Sequence, residues 1–293
     1  MIIITTLISG LNVGVIYAMI ALGYTMVYGI AKMLNFAHGD IIMVGGYTIY
    51  VFCAMSGSLP MFFVAIALSV VICTLLGVTV EKVAYRPLRG ASPLAVLITA
   101  IGVSYLLQSL AQIIFKSASK RVSVPDLGKI TIGAVNIKIS TVITLVASVA
   151  VMAALSLFVK YHRTGRAMLA VSEDRAAAEL MGVNVNGIIT ITFAIGSALA
   201  ALAGLFYLLQ SPYMTTTFGA MPGIKAFTAA VIGGIGSIPG AMIGSLILGI
   251  IEAICDAIPA IAPYKDAVEF SILIIILLVR PTGLLGKKRR EKV

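Results

Sequence analysis

Asn35, His38 and Asp40 stand close together in AKMLNFAHGD, residues 31–40, between two long apolar runs that leave too little chain for a solvated loop. An ionisable group at membrane depth costs roughly 2.5 to 3.5 kcal/mol on insertion scales, so such groups are kept where they are paired or face a cavity. Two readings stay open for Asn35 and His38: polar groups beside a solute path, where a helix breaks, or parts of an interfacial turn. Asp40 is assigned to the turn, as the cap of a helix beginning at Ile41. A second set of carboxylates lies near the other end of the chain. Glu252 and Asp256 are four apart and Asp266 and Glu269 three apart, so each pair shares a helix face near a membrane boundary. They form either an external rim for a basic patch on a docking protein or interfacial groups reaching water, and Lys265 is spaced to neutralise Glu269. Asn12, between Gly10 and Gly14, reads as an interhelical hydrogen-bonding group.

None of these sets makes or breaks bonds. His38 and His162 lie in separate segments, HExxH and GxSxG are absent, and no carboxylate pair sits in the middle of an apolar run. Cys53, Cys73 and Cys255 sit in apolar runs without metal-ligand spacing and read as packing residues. There is no GxxxxGK[ST] phosphate loop; Gly286-Lys287-Lys288 lacks the leading glycine and the hydroxyl residue. No catalytic residue, metal site or bound cofactor is assigned.

The elements that position these groups must be membrane helices. The chain is 60% hydrophobic and 11% charged, with a mean hydropathy of +1.10, and a soluble fold of that composition has too few polar groups to cover its surface. Uncharged runs cover Ile2 to Ala31, Ile41 to Val80, Pro93 to Phe115, Ile139 to Val159, Gly187 to Ile224 and Ala226 to Ile251, with a last one ending at Val279. A span needs about 20 mainly apolar residues. Turn chemistry at Ser56 to Pro60 divides the second run. The last helix begins near Asp266, because Phe270 to Val279 is too short alone. The N-terminus lacks a basic n-region and a cleavage site, so the first run is read as a retained span. The segment from Val231 to Ser245 holds five glycines and Pro239, which weaken a regular helix by about 1 kcal/mol per glycine and 3 for proline. Such a stretch is tolerated at membrane depth only when buried in protein or lining a wet cavity. Gly233, Gly234, Gly236 and Pro239 are therefore candidates for a translocation path. The expected fold is an all-α polytopic bundle of about eight segments: seven crossings plus a broken or re-entrant pair between Gly223 and Asp256.

A net charge of +10 in such a chain is topology information before it is partner information. With the N-terminus outside, 14 of the 21 Lys and Arg fall on the cytoplasmic side and seven, including Lys225, outside. The tail 284–293 is read as a basic cytoplasmic segment meeting anionic headgroups, not nucleic acid. The longest charged loop, 160–187, reads as a cytoplasmic connector inside one transmembrane domain, 1–293. Its second half carries helix signals: Ser172 as N-cap, Glu173 and Asp174 in the first turn, and Gly182 at the left-handed end of a helix over Glu173 to Met181. Ala176, Ala177 and Ala178 give a smooth surface, with Leu180 and Met181 as apolar anchors. This helix either fits a groove in a partner and transmits its motion or packs on its own bundle.

AAAELMG, residues 176–182, is similar to the EAA loop of ABC importer permeases, with Ala176 where that loop has Glu. The chain as a whole resembles the LivH-type permeases of branched-chain amino-acid importers. The resemblance rests on GLNVGVIYAMIALGYTMVYG at 10–29, NFAHGD at 35–40, RPLRG at 86–90, TGRAMLAVSED at 164–174, KAFTAAVIGGIGSIPGAMIG at 225–244 and RPTGLLG at 280–286. It implies a permease subunit of the bacterial cytoplasmic membrane. Its partners would be a second related permease, two ATP-binding subunits that handle ATP and Mg, and an extracytoplasmic substrate-binding protein. Arg166 and Glu173 would join the alanines, Leu180 and Gly182 in coupling to the ATPase. The rival reading is a secondary transporter or channel for small polar solutes, which would need ion sites or a selectivity ring that intramembrane acids here are too scarce to supply.

Overall fold

The computed structural model describes residues 2–55, 58–125, 127–132 and 135–286. Residues 287–293 of the expected basic tail lie outside the described residues. The helices are α1 (Ile2–Ala31), α2 (His38–Met55), α3 (Leu59–Val80), α4 (Pro93–Phe115), α5 (Ile139–Tyr161), α6 (Arg163–Glu173), α7 (Arg175–Leu180), α8 (Val185–Gln210), α9 (Ala220–Gly233), α10 (Ile238–Ala257) and α11 (Lys265–Val279). Seven of them, α1 to α5, α8 and α10, are long and apolar enough to cross a membrane. Between α4 and α5 the strands β2 (Lys129–Ile132) and β3 (Val135–Lys138) form a hairpin with Lys129 opposite Lys138. Strand β1 (Lys120–Arg121) pairs with β4 (Tyr213–Met214) after α8. The bundle thus has a hairpin end and an opposite end that carries α6 and α7.

Helices form because a backbone in hydrocarbon must satisfy its own amides and carbonyls. Their starts follow local chemistry. Ser92 accepts from the Ala95 amide at the head of α4, and Ser58 precedes α3 with Pro60 in its first turn. Two layers result. Helices α1, α2, α8, α9 and α10 pack on one another and hold most of the buried residues, whereas α4 buries only 17% of its most apolar window and shows Leu94, Tyr105, Ile113 and Ile114 outward. Cys53, Cys73 and Cys255 are buried free thiols, as expected of packing residues.

α1 and α10 approach closely, through glycine. A methyl group on Gly10 would lie 2.9 Å from the Ile250 Cα, one on Gly14 3.0 Å from the Leu246 Cα, and one on Gly249 2.5 Å from the Gly10 carbonyl. Helix pairs in lipid gain mainly from such close backbone contact.

The irregular part is wider than the glycine run predicted. After α8 the chain turns back into the bundle as Ser211 to Gly219, without helix, beside α2. Met214 lies over Gly46 and Gly219 against Gly39, and Met214, Thr216 and Phe218 are buried. The half-length helix α9 follows. It ends at Gly234, whose φ of +108° needs glycine, and Ser237 then caps α10 by accepting from the Gly240 amide at 3.2 Å. The segment after α11 seals this turn: the Leu284 and Leu285 amides donate to the Ile232 and Gly233 carbonyls, both at 2.9 Å. Sequence missed the first irregular stretch because it carries no charge and so continues the uncharged run from Gly187 to Ile224.

Replacing Gly249 with Val should separate α1 from α10 at a cost of about 1–3 kcal/mol of overpacking. A lower melting temperature in detergent than that of Gly102→Val, whose added methyl meets nothing within 4 Å, is the expected result; equal melting would refute the close-approach account.

Candidate functional site

At the α7 end, His162 caps α6 by accepting from the Thr164 amide, and the apolar positions Gly165, Met168 and Val171 keep that helix on the bundle through Glu173. Ser172 is therefore not the expected N-cap; it lies inside α6 and donates Oγ to the Leu169 carbonyl at 2.7 Å. The break comes at Asp174, in extended conformation, whose carboxylate accepts from the Ala177 amide at 3.0 Å and caps the shorter α7. Gly182 closes α7 as expected, with φ +83°. Its amide donates to the Glu179 carbonyl and the Val183 amide to Ala178, a left-handed end that uses up the last carbonyls.

This short helix turns most of its candidate coupling residues outward. Arg166, Glu173, Ala176, Ala177, Leu180 and Gly182 are exposed, and only Ala178 is buried. Leu180 is 90% exposed and its neighbour Met181 84%. Two apolar side chains thus stand bare on a capped helix. Arg175 ties the helix back to the bundle: its Nη2 donates to the Ile30 carbonyl at 3.1 Å and to the Ala31 carbonyl, the last turn of α1. Burial, and then the charge of Arg89, lower the Arg175 pKa. Beside it, the fully buried Glu81 pairs with Arg89 and accepts from the Thr190 hydroxyl at 2.8 Å, which joins the end of α3 to the start of α8.

The Asn35–Asp40 segment is an internal joint. Helix α2 starts at His38, so Asp40 caps no helix at Ile41; its Oδ1 instead accepts from Gln108 Nε2 of α4 at 2.9 Å. The reversal ends sooner than expected because the Ala37 carbonyl already accepts from the Asp40 and Ile41 amides. Asn35 accepts from the Tyr85 hydroxyl at 2.9 Å, and the His38 ring lies 4.7 Å from that of Tyr24. Both are at most 2% exposed. Among the glycine-run candidates, Gly233 and Gly234 are buried and Gly236 and Pro239 exposed at the α9–α10 turn.

The carboxylates at the hairpin end form an ion cluster around Lys225 of α9, a residue counted above as a loop charge. Lys225 Nζ lies 2.9 Å from Glu252 Oε1, 2.8 Å from Asp266 Oδ1 and 3.3 Å from Glu269 Oε1. Lys265 turns to Glu252, at 3.0 Å, and to Asp256, at 3.1 Å, and not to Glu269 as its spacing suggested. The Tyr17 hydroxyl of α1 donates to Glu252 Oε2 at 2.7 Å. Glu252 and Glu269 are buried, which removes them from a docking rim, because the buried ammonium of Lys225 draws them inward; Asp256 and Asp266 keep 51% and 46% of their side chains exposed.

Comparison with known proteins decides the family. Residues 6–277 match the model of the family described as branched-chain amino acid transport system / permease component. The chain belongs to this family. It is 45% identical to the high-affinity branched-chain amino acid transport system permease protein BraD of Pseudomonas aeruginosa, over 98% of this chain and 97% of that protein. It is 43% identical to the corresponding protein LivH of Escherichia coli K12, over 97% and 96%. PsaBC from Streptococcus pneumoniae, solved with a Fab, shares the fold with a TM-score of 0.51 at 15% identity, covering 94% of this chain and 91% of that one. The protein is thus a multi-pass membrane permease component, and its family is one of transport components, not enzymes.

Three residues that position this permease went unseen in the sequence: Lys225, Arg175 and Glu81. The available signal for Lys225 was a single charge, at the junction of two uncharged runs totalling more than 60 residues from Gly187 to Ile251. Removing one partner of a buried ion pair costs about 3–5 kcal/mol, because the other charge stays buried. Lys225→Met should therefore aggregate or melt early in detergent, and adding Glu252→Gln and Glu269→Gln should recover most of the loss. A single variant melting like the parent would show that the cluster is not structural.

Proposed function

We propose that the chain is one half of the translocation pathway of an ATP-driven importer that moves branched-chain or related amino acids across a bacterial-type cytoplasmic membrane. The single observation that carries this is the capped α7, which bares Leu180 and Met181 at the end of the bundle where the basic loops collect. The positive-inside rule supports a cytoplasmic side for that end and an outer side for the N-terminus. A second related permease completes the path, and two ATP-binding subunits, which handle ATP and Mg, receive α7 in a groove. An extracytoplasmic binding protein delivers the substrate to the hairpin end. The substrate class is supported by the names of the relatives, which are full-length matches above 40% identity. One transmembrane domain, with 160–187 as its coupling loop and a basic tail from residue 284, fits this arrangement.

A cysteine at Ala177 should crosslink to an ATP-binding subunit in native membranes, and absence of such a subunit from both crosslinks and the purified complex would defeat the importer reading. Leu180→Asp should weaken that association by about 2 kcal/mol or more, as a buried interface anchor does. Arg175→Ala acts differently. It keeps Leu180 and Met181 on α7 but cuts the tie to α1, so uptake should fall at least about tenfold, the equivalent of a lost charge-assisted hydrogen bond of about 1.5 kcal/mol or more, while ATPase binding persists. Loss of both together would assign Arg175 to folding alone.

A further inference from the structure

At the hairpin end a recess of about 250 Å³ opens between the amino half of α1, the first turns of α5 and the last residues of α8. With one water filling roughly 30 Å³ of liquid, it has room for a single molecule of leucine's size. Along both helices its lining passes from exposed to buried, on α1 toward Asn12 and on α5 toward Thr144, which are 6% and 1% exposed. The Asn12 Oδ1 is fully buried and has no hydrogen-bond partner among the described residues. A buried acceptor left open in this way calls for a donor that arrives from elsewhere.

The other side of the recess is electropositive. Helix α5 begins here, and of its first-turn amides that of Ile139 is taken by the Gly128 carbonyl at 3.1 Å, while those of the next residues have no acceptor within the helix. Lys138 precedes them, and its side chain makes no capping bond. A wider recess of about 530 Å³ shares Lys138 and adds Arg121 and Lys129, and no described lining residue of either recess is acidic. The positive end of the α5 dipole and Lys138 together favour a carboxylate. Ile8 and Leu209 supply apolar wall.

We propose that this recess binds an aliphatic α-amino acid as its zwitterion. The carboxylate rests on the first turn of α5 beside Lys138, the ammonium donates to Asn12 Oδ1 and the Thr144 hydroxyl, and the alkyl group lies on Ile8 and Leu209. The site rests on the import reading for its direction only: with the N-terminus outside, it faces the incoming substrate.

The test uses the full chain in lipid nanodiscs, with Ser9, an exposed lining residue, replaced by Cys and labelled by a membrane-impermeant thiol reagent. The three native cysteines are buried. L-leucine should slow labelling, whereas isoamylamine, which lacks the carboxylate, and isocaproate, which lacks the ammonium, should not. Asn12→Leu and, as an independent variant, Thr144→Val should keep the unliganded labelling rate and lose protection. Lys138→Gln should weaken protection about tenfold, as loss of a charge-assisted contact does. No protection by L-leucine, equal protection by isocaproate, or full protection in both Asn12→Leu and Thr144→Val overturns the site. If that happens while the Ala177 crosslink forms, the importer reading stands alone; protection without the crosslink leaves the site and removes the importer.

Discussion

Lys225 carries an ammonium group into the interior of a membrane bundle, and much of the surrounding structure is arranged to make that possible. At 1.5 Å per residue, the 14 residues of α9 reach roughly 21 Å, short of the roughly 30 Å hydrocarbon core. A half helix needs its first amides and any charge near them satisfied within the protein. The Thr217 and Gly219 carbonyls accept from the Ala220 and Gly223 amides, Glu252, Glu269 and Asp266 answer the charge from α10 and α11, and Tyr17 of α1 takes the remaining oxygen of Glu252. At the other end, Gly234 and the docked residues 284 and 285 close the carbonyls. The non-helical stretch from Ser211 to Gly219 can lie at membrane depth because α2 offers it glycine, at Gly39 and Gly46, where side chains would collide.

The same logic explains the two layers. α1 meets α10 through glycine, so the two backbones pack without intervening side chains, and lipid is excluded from that seam. α4 has no comparable commitment and presents large aliphatic and aromatic groups outward, which suits a helix facing hydrocarbon. Several of the polar groups inside have a partner built in. Asn35 has Tyr85, Asp40 has Gln108, and Glu81 has both Arg89 and Thr190. Asn12, like Thr25, Ser148 and Ser245, has an oxygen without a partner among the described residues, and of these four only Asn12 lines the recess.

What the sequence made legible was the physics that depends on run length. Spans, the break before Ile238, the left-handed close at Gly182 and the start of α11 all follow from local composition, and the structure holds them. What it hid depends on distance in space. Ser172 looked like a cap because Ser before two acids usually is one, yet Met168 and Val171 needed burial and carried α6 past it. Lys265 stands at helical spacing from Glu269, but the Lys225 ammonium already occupies that carboxylate. Lys225 itself, one charge between two apolar runs, gave no hint that two helices would bring three carboxylates to it.

A helix of six residues has no stability of its own in water, so α7 exists only through its anchors. Asp174 and Gly182 close its two ends, but both are local and would travel with it. Ala178 contributes one small buried contact. Arg175 is different in kind: it grips carbonyls at the last turn of α1, so α7 cannot shift without pulling on that turn or breaking the grip. α1 is an unbroken helix from there to Asn12, roughly 27 Å away at 1.5 Å per residue, and its seam with α10 resists bending. Under the proposed coupling, a stroke delivered to Leu180 and Met181 therefore has a stiff path to the proposed recess. Along that path Tyr17 also meets the Lys225 cluster, so the same movement bears on the half helix α9.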